Sequence, residues 1–212
     1  MYSLLCRPKE ALRRAAILQV ARDLFAEEGY AATSMSTIAA RLGGSKATLY
    51  KYFPSKEELF AASLEDLIAS STEDFPLPPP SGDNLEKILS NFCRKVIGAM
   101  VSPTFLRLFR LVVAESPRFP EIGRAYYDKV IAPSHQRLAG FIQSCVDKGL
   151  IRPVDPMLAA TQLLAMCRAK SHMCALANPA VLPVAEEMAA EADNATATFL
   201  AAFGANQGVS TA

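Results

Sequence analysis

Residues 43–59 read GGSKATLYKYFPSKEEL, and hydrogen-bonding side chains crowd into them. Ser45, Thr48, Tyr50 and Tyr52 bring hydroxyls, while Lys46, Lys51 and Lys56 bring ammonium groups. No nucleophile with a base beside it stands among them, so their chemistry is recognition. A lysine donates to O6 or N7 of guanine in the major groove, and a threonine to a phosphate or a base edge. Ser45, Lys46 and Thr48 fall in the first turn of a helix that can begin after Gly44. Tyr50, Tyr52 and Lys56 lie further on and suit phosphate oxygens, which fix register without reading sequence. Leu49 and Phe53 are the apolar residues expected to face inward. Thr33, Ser34 and Ser36, at the start of the preceding helix, and Ala47, beside Lys46, complete the expected DNA-facing set.

The elements that must hold these groups are helices. Apolar residues recur at threes and fours over residues 8–29, through Leu12, Ala16, Ile17, Val20, Leu24 and Phe25, until Gly29 stops the pattern. A shorter helix runs to Leu42, with Thr33 or Ser34 as its cap and Gly43-Gly44 as its end. The helix over residues 45–53 follows after only that turn, which is the helix-turn-helix arrangement; its second helix lies in the major groove and its first crosses the backbone. A fourth helix spans residues 56–70, opened by Ser55 with Glu58 in a capping box. Residues 73–84, with four prolines and a glycine, make the clearest break. Beyond it the pattern predicts helices over residues 85–100, 104–115, 120–148 (kinked or broken at Pro133), 156–177 and 183–203. Strand signals are weak throughout. The class is all-α, about nine helices, with a DNA-binding domain at residues 1–54 and a C-terminal effector-binding and dimerisation domain at residues 55–212.

Charge supports this division. Residues 1–56 hold nine Lys and Arg against four Asp and Glu, an excess of five positive charges, while the remainder holds thirteen against seventeen. The whole chain is nearly neutral, at +1, so only a local basic face can argue for nucleic acid. The plain alternative is that these charges only solvate amphipathic helices. Five scattered cysteines without a CxxC pair point to reduced thiols and a cytoplasmic setting. The start, MYSLLCRPKEALRR, lacks the long apolar region of a secretory signal, and no apolar run approaches the roughly 18 residues of a membrane span. Neither His135 nor His172 has a partner at metal-ligand spacing, and no catalytic constellation, phosphate-cradling loop or cofactor motif appears, so no enzyme, metal or cofactor is expected.

Taken together, the spacings go further than a generic helical hairpin. GYAATSMSTIAARLGGSKATLYKYFPSKEELF resembles the DNA-binding segment of the TetR family of bacterial transcriptional regulators, through Gly29, Thr33-Ser34, Ile38-Ala39, Gly43 with Ser45, Thr48-Leu49-Tyr50, Tyr52-Phe53 and Ser55-Lys56-Glu57-Leu59. Gly44 departs from the family, which more often has valine there. FRLVVAESPRFPEIGRAYY resembles the AefR-like subgroup. The resemblance implies a homodimeric repressor, a double-stranded operator with two half-sites, and a C-terminal domain holding a small apolar or aromatic effector.

Two features of the C-terminal half bear on that expectation. Val184, Met188, Ala192, Ala195, Phe199 and Phe203 share one helical stripe, read as the dimer face together with residues 156–177; packing inside the monomer is the competing reading. Met100, Phe105, Phe109, Tyr126, Tyr127, Met166 and Met173 could line an apolar cavity, with Arg168 and His172, four apart, orienting a polar group; ordinary core is the competing role. Cys167 and Cys174, two turns apart, could form a thiol sensor or simply be buried. Three functions therefore stand side by side: a ligand-released repressor, a DNA-binding regulator controlled by a protein partner or cysteine oxidation, and a helical enzyme or carrier that keeps an inert helix-turn-helix.

Overall fold

A computed structural model describes residues 6–72 and 77–205. The described chain is helical: α1 (Cys6–Glu28), α2 (Met35–Arg41), α3 (Lys46–Tyr52), α4 (Lys56–Thr72), α5 (Leu85–Met100), α6 (Pro103–Glu115), α7 (Pro120–Tyr126), a π-helical turn (Tyr127–Ile131), α8 (Ala132–Asp147), α9 (Pro156–Met166), α10 (Ser171–Ala177) and α11 (Ala185–Phe203). Among the described residues there is no strand, only a single antiparallel bridge between Ile151 and Gly204. No single described helix is long and apolar enough to cross a membrane. The Pro-rich break lies outside the described residues as far as Pro76; Leu77 to Ser81 is non-helical and leads through a short 3₁₀ turn into α5.

The described residues form two compact units, one from the chain up to Ala69 with Arg107–Ile131, the other from Ser70–Leu106 with Ala132 onward. The first unit is built around α1. Ile17, Leu18, Ala21, Leu24 and Phe25 are buried, one continuous face at helical spacing. Leu12 does not belong to it and stands 72% exposed. At 3.6 residues per turn it lies on the side of α1 opposite Ala21, so the apolar face expected from Leu12 onward begins at Ile17 instead. Tyr30 ties α1 to α4: its ring stacks on Phe25 at 5.7 Å and meets Phe60 edge-on at 5.3 Å, with Phe25 and Phe60 themselves 5.0 Å apart. Phe119 adds a further edge contact to Tyr30 at 5.3 Å.

The second unit has a core of aliphatic side chains with phenylalanine rings among them. Leu85, Leu89, Cys93 and Val96 of α5 pack with Ala192, Ala195, Phe199 and Phe203 of α11, and Leu138, Ile142 and Cys145 of α8 with Ala159, Ala160 and Leu163 of α9. Arg152 closes the end of α11, its N–H donating to Phe203 O at 2.8 Å and its Nε–H to Ala202 O at 2.9 Å.

Two of the predicted helices are each divided. Pro133 has no N–H and its ring would strike the carbonyl of Lys129, and the π turn that contains Lys129 absorbs the change. The segment expected over residues 156–177 breaks at residues 167–170 without any proline. There the Glu191 carboxylate accepts the N–H groups of Lys170 at 2.9 Å and Ser171 at 3.0 Å, replacing helical carbonyl partners. Arg168 therefore sits in a turn rather than on one helix with His172. Cys167 and Cys174 likewise do not share a face: the first is buried and the second exposed.

Candidate nucleic-acid interface

The helix-turn-helix is set by local chemistry. Ser34, not Thr33, caps α2: its Oγ accepts the Thr37 N–H at 3.1 Å and bonds the Thr37 hydroxyl at 2.9 Å. The same arrangement recurs at α3, where Ser45 Oγ accepts the Thr48 N–H at 3.1 Å and lies 3.0 Å from the Thr48 hydroxyl. Between them, Gly44 N–H donates to Ala39 O and Gly43 N–H to Ala40 O, both at 3.0 Å, a Schellman turn. Gly43 takes the left-handed conformation that this turn requires, with φ +63°, where a side chain would be strained.

Packing then aims α3. Leu49 and Phe53 are buried, while Ser45, Lys46, Ala47, Tyr50 and Lys51 are exposed and Thr48 and Tyr52 half-buried. The helix thus shows one apolar side to the unit and one hydrogen-bonding side to solvent. The Ser45–Thr48 pair uses one hydroxyl hydrogen internally and leaves the other for an outside acceptor. Ser36 is exposed on α2, and Ser34 half-buried at its cap.

Two of the expected DNA-facing residues are engaged elsewhere. Thr33 is buried, and its hydroxyl donates to Gly29 O at 2.8 Å and Leu24 O at 3.2 Å. The Lys56 ammonium donates to Tyr30 O at 2.9 Å and Thr33 O at 3.1 Å and rests 4.0 Å from the Tyr30 ring centre, leaving one of its three donors. These contacts knit the start of α4 to the turn after α1. The Tyr30 hydroxyl also donates to Glu57 at 3.1 Å. Burial, then the Glu57 charge, pushes the Tyr30 hydroxyl well above its ordinary pKa. The Glu57 carboxyl is held below its ordinary pKa, first by its own backbone N–H and then by the Ser55 and Tyr30 hydroxyls, against an opposing effect of burial.

The nine expected effector residues divide between the units. Phe109, Tyr126 and Tyr127 belong to the first, where the rings of Phe109 and Tyr126 lie 5.6 Å apart and Tyr127 is 57% exposed. The other six belong to the second. His172 is buried, its Nδ1 3.1 Å from Met100 O and its ring 6.0 Å from that of Phe105. Burial holds the His172 imidazole below its ordinary pKa. Met173 is 52% exposed. Met166 lines a different feature, an open groove of about 380 Å³ between the end of α9 and α11, with Ala169, Lys170, Glu187 and Asn194. The expected dimer stripe is also redistributed. Ala192, Ala195, Phe199 and Phe203 are interior to the single chain against α5, and Val184 is exposed. Periodicity reports an apolar face, and here α5 already covers it. Among the described residues no group of three His, Cys, Asp or Glu lies close enough to hold a metal ion.

Known proteins share this arrangement. Residues 17–63 match the bacterial regulatory proteins of the tetR family, and residues 87–205 match the C-terminal domain of AefR-like transcriptional repressors. The fold is that of the flavonoid-responsive regulator FrrA, at 31% identity and TM-score 0.77 over 92% of this chain and 99% of that one. A TetR family transcriptional regulator from Pseudomonas syringae pv. tomato is 30% identical, with TM-score 0.69 over 90% of this chain and 96% of that one. The HTH-type transcriptional regulator YhgD of Bacillus subtilis is 26% identical over 160 residues, 72% of this chain and 78% of its own. With a capped helix-turn-helix at one end and a C-terminal domain of the AefR-like kind, the chain belongs to the TetR family of bacterial transcriptional regulators, proteins that act on transcription and are not enzymes.

Proposed function

We propose that this protein is a homodimeric repressor that grips a two-half-site operator with α3 of each protomer and lets go when a small, mostly apolar effector enters its C-terminal half. One observation carries the reading: the hydrogen-bonding side of α3, with Ser45, Lys46, Thr48 and Tyr50, is turned to solvent by the burial of Leu49 and Phe53. Lys46 reads base edges, and Tyr50, Tyr52 and the hydroxyls of Ser34 and Ser36 hold phosphates. Dimerisation uses the exposed sides of α9 and α11, where Leu158, Thr161, Ala165, Ala190, Asn194 and Ala197 leave small and apolar surface on either side of the groove. Two half-sites a helical turn apart, or a multiple of it, follow from the two-fold symmetry.

An effector of apolar or aromatic type is supported by the soft and aromatic residues of the C-terminal half and by the kinship with FrrA, a flavonoid-responsive regulator. It acts only through different affinities for the DNA-fitting and non-fitting states, typically about 1–3 kcal/mol of coupling, and DNA must weaken its binding by the same factor. The covalent routes between the units are α4, α6 and the junction of the π turn with α8, where the chain crosses their boundaries. Control by thiol oxidation is less well supported. Cys93, Cys145 and Cys167 are buried; burial pushes the Cys145 thiol up to about 11, and the Cys93–Cys167 hydrogen bond raises Cys167 while lowering Cys93 against its burial, with no solvent access for an oxidant at any of the three. That reading rests on exposed Cys174.

Selection of bound duplexes from a random-sequence pool is the direct test. Recovery of a palindromic site bound by two protomers is the expected result. Failure to enrich any sequence at low salt would remove the repressor reading, and a monomer by sedimentation at micromolar concentration would remove the dimer.

A further inference from the structure

Gly44 departs from the valine more often found at this place in the family, and the structure shows what lies beside it. A Cβ placed on Gly44 would meet Nη2 of Arg13 at 3.0 Å and, beyond its own chain neighbours, no other atom within 4 Å. The glycine therefore leaves a notch, and the Arg13 guanidinium occupies it. Gly44 is not one of the left-handed glycines, which are Gly29, Gly43 and Gly149, so backbone conformation does not demand glycine there. The space is taken by the far end of the flexible Arg13 side chain, which a Cβ at position 44 would push aside by a few tenths of an ångström.

Arg13 is held at this spot from another helix. It stands on α1, with Ile17 of the next turn buried beneath, and edges a shallow recess together with Gly44, Ser45 and Thr48. Among the described residues its guanidinium makes no hydrogen bond or ion pair. An arginine with a planar fork of five donors, seated beside Ser45 and Thr48 on the exposed side of the turn, lacks only an acceptor. Phosphate oxygens fit a guanidinium fork in bidentate fashion. Arg14, by contrast, lays its guanidinium over the Phe53 ring at 5.3 Å and has a partner within the unit.

We propose that Arg13 is a DNA-phosphate ligand of this protein, and that Gly44 is a positioning gap that lets its guanidinium reach the backbone flanking α3. The inference rests on the proposed DNA-binding reading. The two residues work as a pair: a side chain at position 44 displaces the guanidinium and loses the contact while Arg13 is still present. Alanine at 44 shifts Nη2 by a few tenths of an ångström, and valine, with two more methyls, expels it.

The test is the salt dependence of binding to a duplex that the wild-type dimer selects from a random-sequence pool, followed by fluorescence anisotropy between about 50 and 200 mM salt. Each phosphate contact contributes about 0.9 to the slope of log K against log salt, so Arg13→Ala lowers the slope by about two for a dimer. Gly44→Val gives nearly the same loss, Gly44→Ala a smaller one, and the double variant Arg13→Ala with Gly44→Val no more than Arg13→Ala alone. All four keep the wild-type helical circular dichroism signal, since the notch is at the surface. A slope unchanged in Arg13→Ala overturns the proposal, as does a Gly44→Val loss that adds in full to that of Arg13→Ala. Wild-type protein that selects no duplex instead defeats the repressor reading, and the two failures are told apart by that first measurement.

Discussion

The two units differ in how they treat the polar groups they bury. The first sets the rings of Phe25, Tyr30, Phe60 and Phe119 among aliphatic side chains, and its buried polar groups Thr33 and Ser63 are matched by backbone carbonyls. The second sets the rings of Phe199 and Phe203, 5.0 Å apart, among Leu, Ile, Ala and Cys, and buries Glu191, His172, Thr196 and Ser171, whose hydroxyl has no hydrogen-bond partner among the described residues. A buried polar group left without a partner costs about 1–3 kcal/mol, a cost the matched groups of the first unit avoid.

The largest expected effects probe the apolar core of each unit. Phe60→Ala should cost about 3–5 kcal/mol and Leu163→Ala about 2–5 kcal/mol in urea unfolding. A negligible loss in either variant would show that its side chain is not close-packed in its unit. Next comes Glu191→Ala, which strips the partner from the Lys170 and Ser171 N–H groups. It should cost on the order of 2–3 kcal/mol, and if unfolding is unchanged, α10 does not depend on that carboxylate. Lys46→Ala should leave unfolding unaltered and lose about 1–3 kcal/mol of discrimination between the selected site and single-base variants. Thr33→Val should do the reverse, losing about 1 kcal/mol of stability while preserving sequence preference.

The smallest effect is one of pH. His172 is held below its ordinary value of 6.5, chiefly by burial, with Arg168 lowering it further and Glu191 and the Met100 carbonyl opposing. The unfolded chain then takes up the proton first on acidification. Stability should be independent of this group above about pH 7, and should fall as pH drops below 6.5 toward the lower folded-state value. Unfolding midpoints measured at pH 7.5 and pH 5.5 should differ less in His172→Gln than in wild type. An equal difference in both would show that His172 does not titrate in this way.

The DNA-facing end was the more legible of the two in sequence. Its caps, its Schellman turn and the inward pair Leu49 and Phe53 all arise between residues no more than five apart, so spacing alone reveals them. The interior roles of Thr33 and Lys56 were not visible, because their partners lie on other segments: Leu24 O for Thr33, Tyr30 O for Lys56. Arg13 could be counted only as a charge. The one hint was Gly44, and nothing in one dimension joins the two. In the C-terminal half spacing shows the apolar stripe of α11 but not its partner, and Ala192, Ala195, Phe199 and Phe203 of that stripe pack within the chain.

By itself the sequence determined an all-α chain, the helix boundaries of the N-terminal end within a few residues, the capped helix-turn-helix and the kinship that its motifs carry, because each depends on turns of backbone and side chains close along the chain. Tertiary structure alone decided that α5 covers Ala192, Ala195 and Phe199, that Glu191 divides α9 from α10, and that Arg13 fills the space left by Gly44. Apolar burial is non-directional, and a carboxylate or guanidinium reaches across space rather than along the chain. The choice among partners of similar chemistry is therefore made only once the helices stand beside one another.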